Sequence, residues 1–223
     1  VEAGAEIVPI VQRKLVAMCR KHAKICIVAT QTMGSMVDNP EPTRAEVSDV
    51  ANAVFQGADV VMLSDETANG KYPLETVKAM KKVILYAQNN AELQSIDTAP
   101  QSDNPNYDAL SAAAARLAEQ IEADAIICQT ASGATALAMA AQRPTLPIIT
   151  VTGNEQVANQ LALAYANSAF VRPYSEEFGL DLAKELKESG YLKSAKGADE
   201  LVVVLVSGNR DFCGTDTIKI RQI

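Results

Sequence analysis

Short apolar runs alternate with amphipathic segments along most of this 223-residue chain, and this alternation limits its possible folds more than any other feature. Apolar runs rich in β-branched residues predict strands buried on both faces, and apolar residues at helical spacing predict helices between them. Strands separated by helices favour a mostly parallel sheet covered by helices, because right-handed crossovers place such strands side by side. The sequence therefore predicts the α/β class.

The last apolar run differs from the others because apolar and polar side chains alternate along it, as in an edge strand with one face in water. Two helix starts are also marked: Thr43 and Glu46 predict a capping box, and Asn154 predicts an N-cap. The predicted strands cover residues 25–29, 58–63, 124–129, 146–152, 169–173, 200–207 and 217–223. The predicted helices cover residues 7–18, a segment beginning at 43, and 74–87, 109–123, 135–141, 154–166 and 179–189.

A polar stretch with two prolines and no periodicity, residues 88–107, divides the chain. It predicts a first domain over residues 1–90, a linker over 91–106 and a second domain over 107–223. The two strands predicted in the first domain form an open pair, which leaves unpaired edges and an uncovered apolar face. We therefore expect this domain to pack against something further, and we interpret the chain, which does not begin with Met, as a piece of a longer protein.

The composition excludes several classes of function. A net charge of −7 and a pI near 4.8 argue against sequence-independent nucleic-acid binding, which requires a basic surface. No apolar run is long enough to cross a membrane. The four cysteines lack C-x-x-C spacing and are interpreted as buried thiols in a reducing compartment rather than as disulfide bridges or metal ligands, which favours the cytoplasm. The only histidine, His22, is interpreted as a cation at the end of a helix.

Hydroxyl-bearing residues follow two predicted strands directly, at Thr30 and at Ser64 to Thr67. Ligands of parallel α/β proteins bind beyond the carboxyl ends of the strands, so these residues are candidates for chemistry. Thr30 can equally be a hydroxyl that caps a strand end. Arg44 in the first helical turn opposes the helix dipole and is therefore expected to pair with a group outside its own helix.

A second candidate loop, TASGAT at 130–135, lies between a predicted strand and a predicted helix. Small and hydroxyl residues at a helix N-terminus suit a phosphate, but an ordinary tight turn requires the same residues. Arg210 in the loop over 207–216 could add a cation to such a site, or that loop could be only a turn into the edge strand.

Four strings in order carry a resemblance to a known family: ATQ at 29–31, NPEPTRAE at 39–46, DVANA at 49–53 and MLSDETANGKYP at 62–73. They resemble pyruvate kinase, and a weaker resemblance extends to Ile223. It implies the last two strands of a catalytic (β/α)8 barrel followed by an open, mostly parallel twisted α/β regulatory domain. It also implies transfer of a phosphoryl group from phosphoenolpyruvate to ADP, giving pyruvate and ATP in glycolysis.

The resemblance also implies roles for particular residues. Thr30 would contact substrate and relay a proton through water, because its hydroxyl is too weakly acidic to act alone. The residues implied near substrate or nucleotide are Arg44, Ser64, Glu66 and Thr67, with Arg44 at the active-site rim, at a subunit interface or in a surface ion pair. The residues implied for a phosphorylated activator are Thr130, Ser132, Gly133, Thr135 and Arg210.

In the family, the Mg2+-binding carboxylates, the catalytic lysine and the K+ site lie upstream of the stretch that matches Val1. The resemblance therefore implies that this chain alone is inactive, acts with the missing N-terminal part of the same protein, and belongs to a homo-oligomer, a tetramer in the family. The chain departs from the common pattern at Asp65 and Asn69, where Gly and often Lys are usual, and this should weaken attraction for nucleotide phosphates. Lys71 either supplies the cation that is missing at Asn69 or is a solvated loop lysine. The alternative is a non-catalytic binding module that kept the fold.

Overall fold

The computed structural model describes residues 4–29, 32–90, 100, 105–194, 196–208 and 215–223. The chain forms two compact units, one comprising Val1–Arg20 and Ile25–Thr98 and the other Lys21–Lys24 and Ala99–Ile223. Both are of mixed α/β structure with parallel strands, as the sequence predicts. The predicted linker lies largely outside the described residues.

The first unit contains a pair of very short parallel strands, in which Ile27 pairs with Val60 and Val28 with Val61. Its apolar core consists of Met33, Met36, Val50 and Met80, which the helices bring together behind the strand ends. Its strands are β1 (Ile27–Val28) and β2 (Val60–Val61), and its helices are α1 (Val8–Lys21), α2 (Arg44–Gln56), α3 (Asp65–Ala68) and α4 (Pro73–Asn90), with 3-10 turns at Ala5–Ile7 and Gly34–Val37.

The strands of this unit are shorter and more open than the sequence predicts. Each was expected to be five or six residues long and covered on both faces, yet Ile27 is 47% exposed and Met62 is 39% exposed. The reason is physical: among the described residues, β1 and β2 have only each other as strand neighbours, so the sheet cannot bury their apolar side chains. One side of α1 is likewise apolar and exposed, with Leu15 53% exposed.

The second unit is a five-stranded sheet in the order β5-β4-β3-β6-β7, in which the first four strands are parallel and β7 is antiparallel at the edge. Its strands are β3 (Ala125–Gln129), β4 (Ile148–Thr152), β5 (Asn167–Val171), β6 (Val202–Ser207) and β7 (Thr217–Gln222). Its helices are α5 (Pro105–Gln120), α6 (Ala134–Ala141), α7 (Glu155–Leu161) and α8 (Phe178–Glu188). The alternating pattern correctly predicted the edge strand.

The central strands of this sheet are buried. Ile127 on β3 is fully buried and belongs to a cluster with Ile149, Leu182 and Leu205, which join three strands to α8. One predicted helix was too long: the segment expected over 154–166 ends at Leu161, and Ala166 adopts a left-handed backbone conformation before β5. Asn154 caps α7 as predicted, with its side-chain oxygen accepting hydrogen bonds from the backbone N–H groups of Gln156 and Val157.

An Ala-Asp pair precedes a strand in each unit and ties that strand to its parallel neighbour. The Asp59 carboxylate accepts a hydrogen bond from the backbone N–H of Cys26 at 2.9 Å, and the Asp124 carboxylate accepts one from Val202 at 2.9 Å. Parallel strands have no tight turn to set their register. These two side chains therefore help to fix the register where each strand pair begins.

Candidate functional site

The loops that leave β1 and β2 lie side by side in the first unit. The ladder continues past the strands, because the N–H of Met62 donates to the carbonyl of Val28 at 2.9 Å. The Thr32 hydroxyl then donates to the carbonyl of Met62 at 2.9 Å. The carboxyl ends of the two strands thus open onto one edge, where ligands of parallel α/β proteins are expected. Thr30, the predicted catalytic residue, lies outside the described residues.

Glu66 holds these two loops together from the inside. Its side chain is 2% exposed; one carboxylate oxygen accepts the N–H of Met33 at 3.0 Å, and the other accepts the N–H of Ser64 at 2.8 Å. Burial alone would raise the pKa of Glu66, but these backbone hydrogen bonds outweigh it and lower the pKa below its ordinary value, so the group is a carboxylate at neutral pH. The role of Glu66 near substrate or nucleotide stays a prediction, and the contacts of its carboxylate are with the backbone of both loops.

Glu46 holds the same first loop from the other side. Its carboxylate completes the predicted capping box by accepting the N–H of Thr43 at 2.7 Å, and it also accepts the N–H and hydroxyl of Ser35, both at 2.6 Å. Burial acts to raise the pKa of Glu46, and the bonds from Ser35 and Thr43 more than offset it and lower the pKa. The capping box could be predicted from the spacing of Thr43 and Glu46, whereas nothing in the sequence indicated the hydrogen bonds from Ser35.

The other predicted residues of this unit lie at the surface. Ser64 and Thr67 are exposed, and the Thr67 hydroxyl donates to the carbonyl of Ser64 at 3.2 Å. Arg44 is exposed in the first turn of α2, and within the described part of the chain no ion pair or hydrogen bond involves its guanidinium. The partner expected for Arg44 is therefore not among those residues.

The two positions that depart from the family pattern contact each other. The side-chain amide of Asn69 donates to the Asp65 carboxylate at 3.1 Å along α3. Lys71 is paired rather than free: its ammonium lies 2.8 Å from Asp38, which raises the pKa of Lys71, and both side chains are exposed. An exposed pair of this kind contributes little stability. The lysine charge is thus already partly neutralised by a neighbour.

In the second unit, the loop at 130–135 uses most of its hydroxyls to hold its own shape. The buried Thr130 hydroxyl accepts the N–H of Gly133 at 2.9 Å, and the buried Thr135 hydroxyl shares a 2.7 Å hydrogen bond with Thr215. Gly133 has φ +89°, a conformation that favours glycine. Ser132 is exposed, and its hydroxyl accepts the N–H of Ala134 at 3.4 Å. Arg210 falls outside the described residues.

Neither a metal-binding group nor a membrane-spanning helix is found among the residues that the structure describes. No group of three or more His, Cys, Asp or Glu side chains among them is arranged to hold a metal ion. Within the same ranges, none of the helices combines the length and apolar character that crossing a membrane requires. The carboxylates of Glu46 in the first turn of α2 and of Glu66 after β2 both accept backbone N–H groups. The residues that the structure describes therefore do not fit Mg2+.

Two sequence-family models match the chain in succession. One, described as pyruvate kinase, barrel domain, matches residues 1–77, and the other, described as pyruvate kinase, alpha/beta domain, matches residues 108–221. They cover both of the candidate sites. The family that the sequence resembles is therefore confirmed for each part of the chain.

Curated relatives and a solved structure agree with these matches. A pyruvate kinase of Agrobacterium vitis is 39% identical over 224 residues, covering 100% of this chain and 47% of the relative. One from Clostridium acetobutylicum is 37% identical over 232 residues with the same coverage. A crystal structure of a pyruvate kinase from Cryptosporidium parvum has a TM-score of 0.85 and 29% identity, covering 99% of this chain and 44% of that one. The chain spans about half the length of these relatives.

Proposed function

The chain belongs to the pyruvate kinase family, and from that premise we propose that it forms part of an enzyme that transfers a phosphoryl group from phosphoenolpyruvate to ADP, giving pyruvate and ATP. Its relatives are named for this enzyme and align over the whole chain. Because the chain spans about half of each, the reaction is assigned to the complete protein. We place that protein in the cytoplasm, a reducing compartment that suits Cys19, Cys26 and Cys128, which are not joined in disulfides. Cys128 is buried as the sequence predicts, whereas Cys19 and Cys26 are partly exposed.

The observation that best supports this role is the juxtaposition of the loops after β1 and β2. Thr32 and Glu66 hold them together at the edge where barrel enzymes carry their chemistry. We assign to Thr30, which immediately precedes this braced loop, the relay of a proton to the enolate through water, and to Ser64 and Thr67 contacts on the substrate or nucleotide side. A threonine hydroxyl can pass a proton on but is too weak an acid to supply one.

We propose that most of the charge neutralisation in phosphoryl transfer comes from the part of the protein outside this chain. Such reactions depend on metal ions and cationic side chains around the transferred group. We propose that Mg2+ and K+ act in the complete enzyme and that their ligands belong to the part of the protein outside this chain. Arg44, exposed in the first turn of α2, would then face the active-site rim or a neighbouring subunit of a homo-oligomer, a tetramer by resemblance to the family.

Regulation is assigned to the second unit. The loop at 130–135 precedes α6, and its exposed Ser132 together with backbone N–H groups would bind a phosphate of a small-molecule activator, with Arg210 as a further candidate. The internal bonds of Thr130 and Thr135 leave those two hydroxyls to shape the loop rather than to bind the phosphate. Isothermal titration of the chain with phosphorylated sugars tests this site, and a matched Ser132→Ala variant should bind more weakly.

One observation favours a second candidate, a non-catalytic module that retains the fold. Asp65 places a carboxylate on α3, and Asn69 bonds to it where the family often carries a lysine. An anion at that position opposes nucleotide phosphates. If this candidate holds, the complete protein will neither bind ADP nor turn over substrate.

The deciding experiment is a coupled assay of pyruvate formation by the complete protein and by residues 1–223 alone. We expect turnover by the complete protein and none above background by the fragment. In the complete protein, Thr30→Val should lower kcat by about 100-fold or more, the range typical of proton-transfer groups, while Thr30→Ser retains the hydroxyl and most of the rate. Turnover by the purified fragment, or equal rates for the Val and Ser variants, would contradict these assignments.

A further inference from the structure

The loop after β1 is held by carboxylates from outside it as well as by its own turn and its buried side chains. Residues 32–38 form only a short 3-10 turn, Gly34–Val37, with Met33 and Met36 fully buried beneath it. Burial of those two side chains already anchors the loop. Two carboxylates from outside the loop nevertheless bind its backbone, Glu66 at Met33 and Glu46 at Ser35.

Glu66 is the one whose bonds reach both strand ends. Met33 lies 33 residues before Glu66 in the chain, and Ser64 lies two before it, so a single buried carboxylate joins the loop after β1 to the loop after β2. Both oxygens lie within 3.0 Å of a backbone nitrogen. Hydrogen bonds to a charged acceptor in a buried setting are among the stronger ones in proteins, because both partners are shielded from water.

Further contacts join the same two loops. The Thr32 hydroxyl donates to the Met62 carbonyl at 2.9 Å, and the N–H of Lys71 donates to the carbonyl of Val37 at 2.8 Å. The second loop therefore contacts the first at its start, at Met33 and at its end. The Lys71 ammonium also lies 2.8 Å from Asp38 at the end of the first loop, but both of these side chains are exposed. Of these contacts between the loops, the one that is both charged and buried is made by Glu66.

We propose that Glu66 is a positioning residue. It keeps the loops after β1 and β2 at a fixed separation, so that the hydroxyl groups that follow the two strands are correctly placed for substrate. This rests on the function proposed above, in which Thr30 precedes the first loop and Ser64 begins the second. Glu66 does not itself touch substrate, because its side chain is buried and both of its oxygens are engaged. A displacement of about 1 Å in such a group can slow a reaction by about 100-fold.

The test compares Glu66→Gln with Glu75→Gln in the complete protein. Glutamine keeps the shape of the side chain but places an amide N–H2 against one of the two backbone N–H donors, so one bond is lost and a repulsive contact replaces it. Glu75 is an exposed residue of the first turn of α4 and serves as the control. If Glu66→Gln does not fold, Thr32→Val removes another bond between the same two loops with little change in volume.

Two readouts separate positioning from simple stabilisation. Hydrogen exchange at the amides of Met33 and Ser64 should accelerate by about tenfold or more in Glu66→Gln and remain unchanged in Glu75→Gln, as expected for loss of a bond to a charged group. In steady-state assays at a temperature where both variants are folded, kcat should fall by about 10- to 100-fold, with the KM for phosphoenolpyruvate within about threefold. Thr32→Val should likewise lower kcat while leaving the KM for phosphoenolpyruvate nearly unchanged, with a smaller fall in kcat than Glu66→Gln.

Three other outcomes of these measurements would contradict the proposal or part of it. Unchanged exchange at Met33 and Ser64 would show that Glu66 does not hold the loops. Faster exchange with an unchanged kcat would make it a structural residue only and would overturn the positioning role. No activity in the unmodified protein would overturn the proposed function and the catalytic part of this proposal, while the exchange measurement still decides whether the carboxylate joins the loops.

Discussion

The strand β3 in the second unit is buried along nearly its whole length, whereas β1 in the first leaves Ile27 47% exposed. Both are apolar runs, and an aspartate carboxylate joins the start of each to its parallel neighbour by a hydrogen bond. Among the described residues, however, β3 has a paired strand on each side, whereas β1 has one on a single side. The difference shows that an apolar run specifies a strand but not its burial. Burial depends on how many neighbours the rest of the protein provides.

Thiol reactivity gives the largest expected contrast between the units. Burial raises the pKa of Cys128 in β3 to about 12, while Cys19 and Cys26 in the first unit are partly exposed. Such a pKa leaves on the order of one Cys128 thiol in ten thousand ionised at pH 8, and its side chain is also buried, so Cys128 should alkylate far more slowly than the partly exposed Cys26. Mass spectrometry of a Cys213→Ser variant measures both rates. Comparable rates would mean that the second unit opens as readily as the first.

Core substitutions should separate the units by several kcal/mol. Ile127→Ala removes a fully buried side chain and is expected to lower the free energy of unfolding by about 2–5 kcal/mol, while Leu15→Ala, at a side chain 53% exposed, should change it by about 0.5 kcal/mol or less. Native-state hydrogen exchange reports the stability of each unit separately. In the complete protein, the Leu15 substitution should become costly if further barrel elements cover α1. A small effect there too would oppose that packing.

Two glycines sharpen the comparison with effects of opposite sign. At Gly133, φ is +89° and an added Cβ would lie 3.3 Å from Val157, so Gly133→Ala should destabilise the second unit by about 1–2 kcal/mol. At Gly34 an added Cβ would meet nothing within 4 Å, and its φ is not positive. Gly34→Ala should therefore stabilise the first unit by about 0.4–1 kcal/mol. Urea unfolding followed by exchange in each unit tests both, and equal signs would contradict the geometry.

Acid should weaken the first unit before the second, and this is the smallest expected effect. The pKa values of Glu46 and Glu66 are lowered by buried or partly buried backbone bonds, so their contribution is present above the ordinary value of 4.5 and is lost as pH falls through the lower folded values. The lowered pKa values of Glu122 and Glu185 in the second unit come from exposed ion pairs with Lys196 and Arg172, which contribute little. Exchange measured as the pH falls from about 5 to about 2 should show loss in the first unit first, and simultaneous loss would contradict it.

Local signals accounted for most of the fold. The capping box of Thr43 and Glu46, the cap at Asn154 and the alternating edge strand β7 could all be predicted, because each depends on residues a few positions apart. The end of α7 at Leu161 could not, since neither Gly nor Pro marks it. The apolar pattern continues there although the chain turns toward β5.

The candidate site was harder to predict because its contacts are distant in sequence. The string around Glu66 marks a strand end, but its bond to Met33 spans 33 residues and is visible only in three dimensions. The Thr135 and Thr215 hydroxyls, 80 residues apart, show the same limit in the second unit. Residue type therefore indicated the strand ends at which ligands are expected, but it did not show that the Glu66 carboxylate would bond to the backbone of both loops.

The strand order of the second unit has a consequence for its synthesis on the ribosome. The central strand β3 pairs on one side with β4, which follows soon after it, but on the other with β6, and Asp124 and Val202, at the start of that pairing, are 78 residues apart. At about 5–20 residues per second, one edge of β3 stays open for several seconds after it emerges. A nascent chain that stalls before β6 would present that apolar edge to other chains and become a substrate for chaperones.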